Sequence, residues 1–512
     1  MAVKILLVVI FFAIMIGVGW YSRKHTTSVN DFVLGGRGVG PWLTAFAYGT
    51  TYFSAVVFVG YAGQFGFKYG MAATWIGIGN ALIGSLLAWL VLGRRTRIMS
   101  KFFDSKTMPD FFGKRYKSKS LRIAASMIAF IFLIPYTASV YNGLSRLFGM
   151  AFDIPYSYCV IAMAVLTGIY IILGGYMATA INDFIQGIVM LVGIVVVIGA
   201  VLIGKGGFMH AVAKLAEIPS DIPATMGQSG AFTSFFGTDP INLLGVIVLT
   251  SLGTWGLPQM IHKFYTIKDE KSIKTGTIIS TVFAIIISGG CYFLGGFGRL
   301  FDSAAIHNAK GGVIYDAIIP SMLSTLPDII VGIVIVLVLS ASMSTLAALV
   351  LTSSSTLTLD FLKDNFIKNM SEKRQLLYMR ILLVFFVAIS VFIALDPPTF
   401  IAQLMGISWG ALAGSFLAPF LYGLYWKGVT KLSVWACFIF AVGITVSNIY
   451  LKFIASPINA GAMVMVAGLV IVPVVSILTP KMKQQDVEEI FDCYEEKVIV
   501  ELKEALPDEE LN

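Results

Sequence analysis

Long apolar runs separated by short polar stretches make up nearly the whole chain. Runs of roughly 17–25 residues are long enough to cross a bilayer as helices. Thirteen such runs centre near residues 12, 53, 82, 134, 164, 194, 252, 286, 340, 386, 411, 441 and 469. Two of them are weakened in the middle. Thr44 to Gly63 carries the small and hydroxyl-bearing stretch Tyr48-Gly49-Thr50-Thr51, and Val246 to Ile261 is interrupted by Gly253, Gly256 and Pro258. In hydrocarbon every backbone N–H and C=O must find an internal partner, so a broken spanning helix is tolerated only where the freed groups face protein, water or an ion. Two broken helices in corresponding places of two halves point to the binding site of a transporter.

The pattern divides the chain into six parts. Residues 1–40 hold the first span and the Gly-rich loop TTSVNDFVLGGRGVGP; 41–203 hold spans two to six; 204–241 form a polar connector. Spans seven to eleven occupy 242–426, two peripheral spans fill 427–480, and 481–512 is a tail with eleven acidic residues against four basic ones. Each block of five begins with its broken helix. Because five is odd, the second block enters the membrane from the opposite side to the first, the condition for an inverted repeat. The expected fold is therefore an all-α polytopic membrane protein with thirteen spans and a 5+5 inverted-repeat core. The 204–241 connector and the 298–328 segment, with a short helix expected around Ile314 to Leu323, read either as lids over a vestibule or as plain linkers. The two peripheral spans carry no buried charge and read as packing, and the tail as a partly helical or disordered appendage.

Composition agrees: 57% of residues are hydrophobic and 12% charged, against roughly 45–50% and 25% in globular domains. Charge sets the expected orientation. With Met1 outside, 28 of the 36 Lys and Arg residues fall in loops or tail on the inside, ten of them between Arg94 and Arg122. The net charge of +8 follows from these loops and is no nucleic-acid footprint. The 94–122 loop reads first as a topology determinant and second as a contact for anionic membrane lipid. Met1 to Tyr21 has no A-x-A-like cleavage site before Arg23 and reads as a span. Four scattered cysteines and four histidines give no metal or disulfide pattern, GGRG follows no strand, and no H-E-x-x-H or Walker signature argues for an enzyme.

The residues that carry chemistry are few. In the ninth span, VGIVIVLVLSASMSTLAALVL, Ala341, Ser344 and Thr345 stand at i, i+3 and i+4 on one helix face. Two hydroxyls and a carbonyl there, with the carbonyls of Thr50 and Phe53 from the broken helix, make five oxygens for a hard monovalent cation. Serine and threonine in membrane helices also bond back to the i−4 carbonyl or join neighbouring helices. Asp183 opens a span in TAINDFIQGIVML and reads equally as an ion-handling acid at membrane depth or as a helix cap. No acid lies between Asp31 and Asp104, so the first broken helix has no carboxylate of its own for protons, which favours sodium.

The ordered set DFVLGGRGVGP, GTTYFSAVVFVGYAG, ILGGYMATAINDFIQG, GLPQMIHKFYTIKD, SASMSTLAALVLTSSS and PFLYGLYW resembles the sodium:solute symporters, the family of proline, pantothenate, sialic acid and sugar cotransporters. The resemblance covers about residues 28 to 480. It implies thirteen spans, an outside N-terminus, a cytoplasmic C-terminus in the cell membrane and a leucine-transporter-like inverted-repeat core. It also implies sodium held by Thr50, Phe53, Ala341, Ser344 and Thr345, with Asp183 serving ion release or a further sodium site. Two departures stand out. Members with a further site have hydroxyls after the S-T pair where this chain has Ala347 and Ala348, and the proline branch has an Asp where this chain has Tyr52.

The same resemblance orders the solutes. Proline carriers have aromatic contacts at positions matching Val56, Tyr136, Thr250 and Thr254, of which only Tyr136 is aromatic here, and sugar carriers have a Gln near Val57. The motifs look closest to the pantothenate and monocarboxylate branch. An apolar first helix suits a solute with a hydrocarbon portion, and half-helix N–H groups can meet a carboxylate without a buried base. Tyr136, Trp255 and Gln259 are the candidate contacts. The expected function is sodium-coupled import of a small monocarboxylate such as pantothenate by alternating access, with a proline-like amino acid or sugar acid as the alternative. A passive channel or a transporter-derived sensor is the remaining rival. Sodium, the solute and membrane lipid are the expected partners, with no nucleic acid, and nothing in the sequence sets an oligomeric state.

Overall fold

The computed structural model describes residues 2–22, 28–363, 365–367 and 370–494. The end of the acidic tail, 495–512, and Arg23 and Lys24 of the first loop lie outside the described residues. Among those described, the chain is helical, with only isolated β-bridges such as Val39–Ile267. The membrane helices are α1 (Ala2–Ser22), α2 (Pro41–Tyr52), α3 (Ala62–Tyr69), α4 (residues 74–102), α5 (Lys119–Phe152), α6 (Tyr156–Gly204) and α7 (Pro240–Gly253). They continue with α8 (Pro258–Tyr265), α9 (Glu270–Gly295), α10 (Asp328–Thr356), α11 (Glu372–Leu395), α12 (Ile401–Tyr425), α13 (Lys431–Leu451) and α14 (Pro457–Leu478). A short helix, Ile318–Ser324, lies in the connector before α10, and Gln484–Asp492 is helical in the tail.

Eleven of the described helices are long and apolar enough to cross a membrane on length and composition, against the thirteen runs expected. The difference has two sources. Val56–Phe102 forms one apolar stretch in which the second half of the first broken helix runs into α4 through a turn at Gly70. In α6, Gly175 adopts φ 56° and ψ −156°, a conformation open to glycine and strained for residues with a Cβ. It divides α6, and Tyr156–Leu166 before it is too short to count.

α10 and α12 form the centre of the bundle, buried along most of their length, whereas α1, α11, α13 and α14 present apolar faces outward. The close approach of α3 to α9 depends on two glycines. A Cβ on Gly66 would lie 2.0 Å from the Gly295 carbonyl carbon, and one on Gly295 would lie 2.1 Å from the Ala62 oxygen. Small residues that let backbones touch are the usual device where hydrocarbon supplies no hydrophobic drive between helices.

α4 is wound as a π-helix over Asn80–Leu87 and Trp89–Gly93. Three carbonyls of this π-wound stretch accept side chains. Gly84 takes the Tyr48 hydroxyl at 2.6 Å and the Thr254 hydroxyl at 3.0 Å, Ile83 takes the Trp255 indole at 3.0 Å, and Val91 takes the Tyr425 hydroxyl at 2.6 Å. The wide turns thus fasten both broken helices to one neighbour, a use of π-turns typical of functional regions.

Many basic residues between 94 and 122 are engaged within the protein. Arg94 pairs with Glu270, Arg95 donates to Leu424 O at 2.9 Å, and Arg115 reaches Gly423 O at 2.8 Å and Trp426 O at 3.1 Å. Arg95 and Arg115 thereby cap the carbonyl end of α12, where a cation is favoured. We expect Gly66→Val to cost more than the ~1–3 kcal/mol usual for overpacking, because backbone rather than a flexible side chain must yield. Gly443→Ala, where a Cβ meets nothing within 4 Å, is the control. Thermal unfolding of detergent-solubilised protein should show a lower Tm for the first and no loss for the second.

Candidate functional site

The first broken helix stops at Tyr52 and resumes at Val56. Phe53 is extended, with φ −108° and ψ 102°. Ser54 restarts the helix, its side-chain oxygen accepting Val56 N at 3.2 Å and its carbonyl accepting Val57 N at 3.0 Å. The sequence Tyr52-Phe53-Ser54-Ala55 therefore contains both the break and the cap of the second half-helix. The carbonyls at the end of α2 turn to α10. The Thr345 hydroxyl lies 3.4 Å from Thr50 O, 3.2 Å from Thr51 O and 3.0 Å from Ala341 O, and Ser344 Oγ donates to Thr50 Oγ1 at 2.8 Å. Ala341 and Phe53 share the wall of a cavity of about 10 Å³, roughly the room of one water. The five residues expected to hold sodium are thus gathered between α2 and α10. They offer oxygens and no formal charge, a donor set suited to a hard monovalent cation. Thr51 joins them through its carbonyl, which the sequence did not single out.

Beside this cluster stands an ion pair. Asp183 of α6 and Lys263 of α8 are 3.5 Å apart, their side chains 1% and 3% exposed. The Ser344 hydroxyl lies alongside the same carboxylate. The lysine also sits 5.2 Å from the centre of the Tyr176 ring, and Tyr176 and Thr266 share a hydrogen bond of 3.0 Å. The sequence reading put Lys263 in a loop. It belongs instead to the half-helix that Pro258 restarts at its first position. A base within four residues of the buried Gln259, on the same helical face, was the available signal.

Tyr136 is buried on α5, its ring set edge-on to Trp409 of α12 at 5.9 Å, with Ser54 beside its hydroxyl. Tyr52 and Phe53 stack at 4.2 Å, and Tyr52 lies against Trp409 at 6.4 Å. The Tyr52 hydroxyl closes the group by donating to Thr250 O at 2.6 Å. Gln259 is buried with its side-chain oxygen unpaired among the described residues. Trp255 spends its indole N–H on Ile83 of α4. Tyr136 is therefore joined to the break in the first helix, together with Tyr52, Phe53 and Trp409, which form an aromatic wall that the sequence did not assemble.

Both ends of the broken helices are closed. At the end nearest Arg94–Arg122, Val39 N donates to Thr266 O and Lys268 N to Val39 O, each at 3.2 Å, and Arg37 donates to Ser105 O at 2.7 Å. At the other end Arg299 makes a two-pronged bond to Asp221 at 2.9 and 2.6 Å and donates to Phe67 O of α3 at 2.7 Å. Both connectors are thereby tied to the end of the first broken helix. Asp316, in the same region, is buried and accepts Ile401 N, the first residue of α12, at 3.3 Å. Burial pushes its carboxyl up to about 6, against the pull of the Ile401 N–H and of Arg146.

Residues 32–441 match the model of the sodium:solute symporter family. The osmoregulated proline transporter OpuE of Bacillus subtilis (strain 168) is 30% identical over 427 residues, covering 82% of this chain and 84% of that protein. The sodium/proline symporter of Staphylococcus aureus (strain JH9) is 29% identical over 437 residues, covering 83% and 82%. Among solved structures, a Na+-coupled sialic acid symporter in a substrate-bound outward-open state superposes with a TM-score of 0.72 at 16% identity, covering 94% of this chain and 99% of that one. Mhp1, a nucleobase-cation-symport-1 family transporter, does so with 0.52 at 13% identity, covering 90% and 98%. These likenesses are in fold, and the fold is the leucine-transporter-like helical core that the family resemblance implied.

The buried Asp316 predicts a pH dependence. With its folded value above that of the unfolded chain, its contribution to stability is complete below about pH 4 and is lost as the pH rises through about 6. A shift of this size corresponds to about 3 kcal/mol as an upper bound. Thermal unfolding between pH 4 and 7 should therefore show the wild type losing stability relative to Asp316→Asn, and parallel curves would remove the assignment.

Proposed function

Because this chain belongs to the sodium:solute symporter family, we propose that it uses the inward sodium gradient to import a small amino acid of the proline type. The observation that carries the mechanism is the Thr345 hydroxyl, within bonding distance of α2 carbonyls and of its own helix. Sodium held among Thr50, Phe53, Ala341, Ser344 and Thr345 ties the first broken helix to α10 and so favours one arrangement of the pair. A ligand can bias two states only through such a difference in contacts. Solute then closes the path over the aromatic wall, and loss of sodium past Asp183 lets the other end open. The Arg94–Arg122 face is taken as cytoplasmic, with the N-terminus outside, from the distribution of Lys and Arg.

Two supports turn the solute reading from pantothenate to the proline-like alternative. The relatives named above carry proline, and the wall of Tyr52, Phe53, Tyr136 and Trp409 suits the compact ring and ammonium of such a molecule. Its carboxylate is favoured near the start of α8, where the helix dipole is positive and Gln259 is buried. A monocarboxylate with a longer hydrocarbon portion is the second reading, favoured by the buried Val56 and Val57 beside the break.

Proteoliposomes with an inward sodium gradient should take up labelled proline, with competition by unlabelled proline exceeding that by pantothenate; the reverse order establishes the second reading. Uptake that ignores the gradient overturns the proposal. Ser344→Ala with Thr345→Ala should raise the sodium needed for half-maximal uptake by about 10-fold or more, since each lost bond to a charged group is worth ~1.5–3 kcal/mol. An unchanged requirement moves the sodium site elsewhere.

A further inference from the structure

A charge pair at membrane depth such as Asp183–Lys263 is costly unless it serves a purpose. Its place is informative. Asp183 is the acid beside the sodium cluster, adjoining Ser344, which in turn donates to Thr50 at 2.8 Å. One carboxylate oxygen faces the Lys263 ammonium at 3.5 Å and the other has no hydrogen-bond partner among the described residues. The ammonium is 3% exposed and is held from the other side by the Tyr176 ring.

A buried carboxylate beside the neutral oxygens of Ser344 and Thr50 attracts a cation. Here the chain supplies that cation itself. Among the described residues Lys263 is the one charged side chain that acts on Asp183, and no second carboxylate stands beside it to help hold two cations. A sodium ion at the carboxylate would lie within a few ångströms of the ammonium, and like charges at that distance in a low-dielectric interior repel strongly. The neutral oxygens of Thr50, Ser344 and Thr345 remain able to take one sodium, with the Asp–Lys pair contributing no net charge beside them. Ala347 and Ala348, both buried after the S-T pair, add no hydroxyl that could complete another shell.

We propose that Lys263 is a tethered counter-cation that takes the place of a second sodium at Asp183 and limits the transport cycle to one sodium per solute. Lys263 is a positioning residue. It touches neither the solute nor the first sodium, and it keeps Asp183 occupied and in place against Ser344. The inference rests on the reading of the α2–α10 cluster as the sodium site.

The test counts sodium. Equilibrium binding of radiolabelled sodium to the purified full chain in nanodiscs, with the sodium dependence of uptake in proteoliposomes, should give one site and a Hill coefficient of about 1. Lys263→Arg should leave both unchanged. Lys263→Met frees the carboxylate and should give two sites and a Hill coefficient rising toward about 2, and adding Asp183→Asn should return the count to one. Should Lys263→Met fail to fold, Lys263→Gln keeps a hydrogen bond to the carboxylate without the charge and carries the same expectation. Two sites in the wild type, or one site in a folded neutral variant, overturns the proposal. A wild type that binds no sodium at all instead refutes the underlying site assignment, so the two failures are distinguishable.

Discussion

The structure depends on the rule that no backbone polar group goes unpaired in hydrocarbon. α2 ends at Tyr52 in the middle of the bundle, and the carbonyls of Thr50 and Thr51 that its ending frees are met by one hydroxyl of α10, that of Thr345. A hydroxyl serving several carbonyls at 3.0–3.4 Å satisfies them loosely. A cation with a full coordination shell satisfies them better. If sodium occupies this cluster as proposed, the interaction that repairs the broken helix is also the one the ion improves on, which would give ion binding leverage over the relative position of α2 and α10.

The two closures follow from the same geometry. The first broken helix begins against the end of the second, through Val39 with Thr266 and Lys268, and ends against the connectors, through Phe67 with Arg299. The π-wound α4 holds the middle of both through Gly84 and Ile83. In the proposed cycle one closure would open while the other holds, with α10 and α12 packed at the centre. In this conformation both closures are made.

Much of this was legible in the sequence, because membrane helices announce themselves by length and their breaks by small and hydroxyl-bearing residues. The two interrupted runs and the i, i+3, i+4 face of Ala341, Ser344 and Thr345 followed from spacing, whereas Asp183, expected to open its span, lies inside the helix that runs on from Gly175 and caps nothing. Other features did not. The eleven long apolar helices do not by themselves give the thirteen runs, because Gly175 divides α6 and Val56–Phe102 runs on through a turn, and hydropathy carries no backbone dihedral. Lys263 falls just past the broken run Val246 to Ile261 and so counts as a loop base by sequence, whereas the half-helix that Pro258 begins extends to Tyr265 and carries it. The π-winding of α4 leaves no trace in residue type, and the wall of Tyr52, Phe53, Tyr136 and Trp409 is assembled from three helices far apart in the chain. Solute preference rests on such a wall, which is why motif order alone leaned toward pantothenate.

The central claim is that sodium acts by joining α2 to α10. Hydrogen–deuterium exchange of the purified transporter in sodium, compared with the same protein in potassium, reports on that joint directly. The account predicts sodium-specific protection concentrated in peptides spanning Thr50–Val57 and Ala341–Thr345. Equal exchange of those peptides in the two salts, with protection arising elsewhere or not at all, would contradict it.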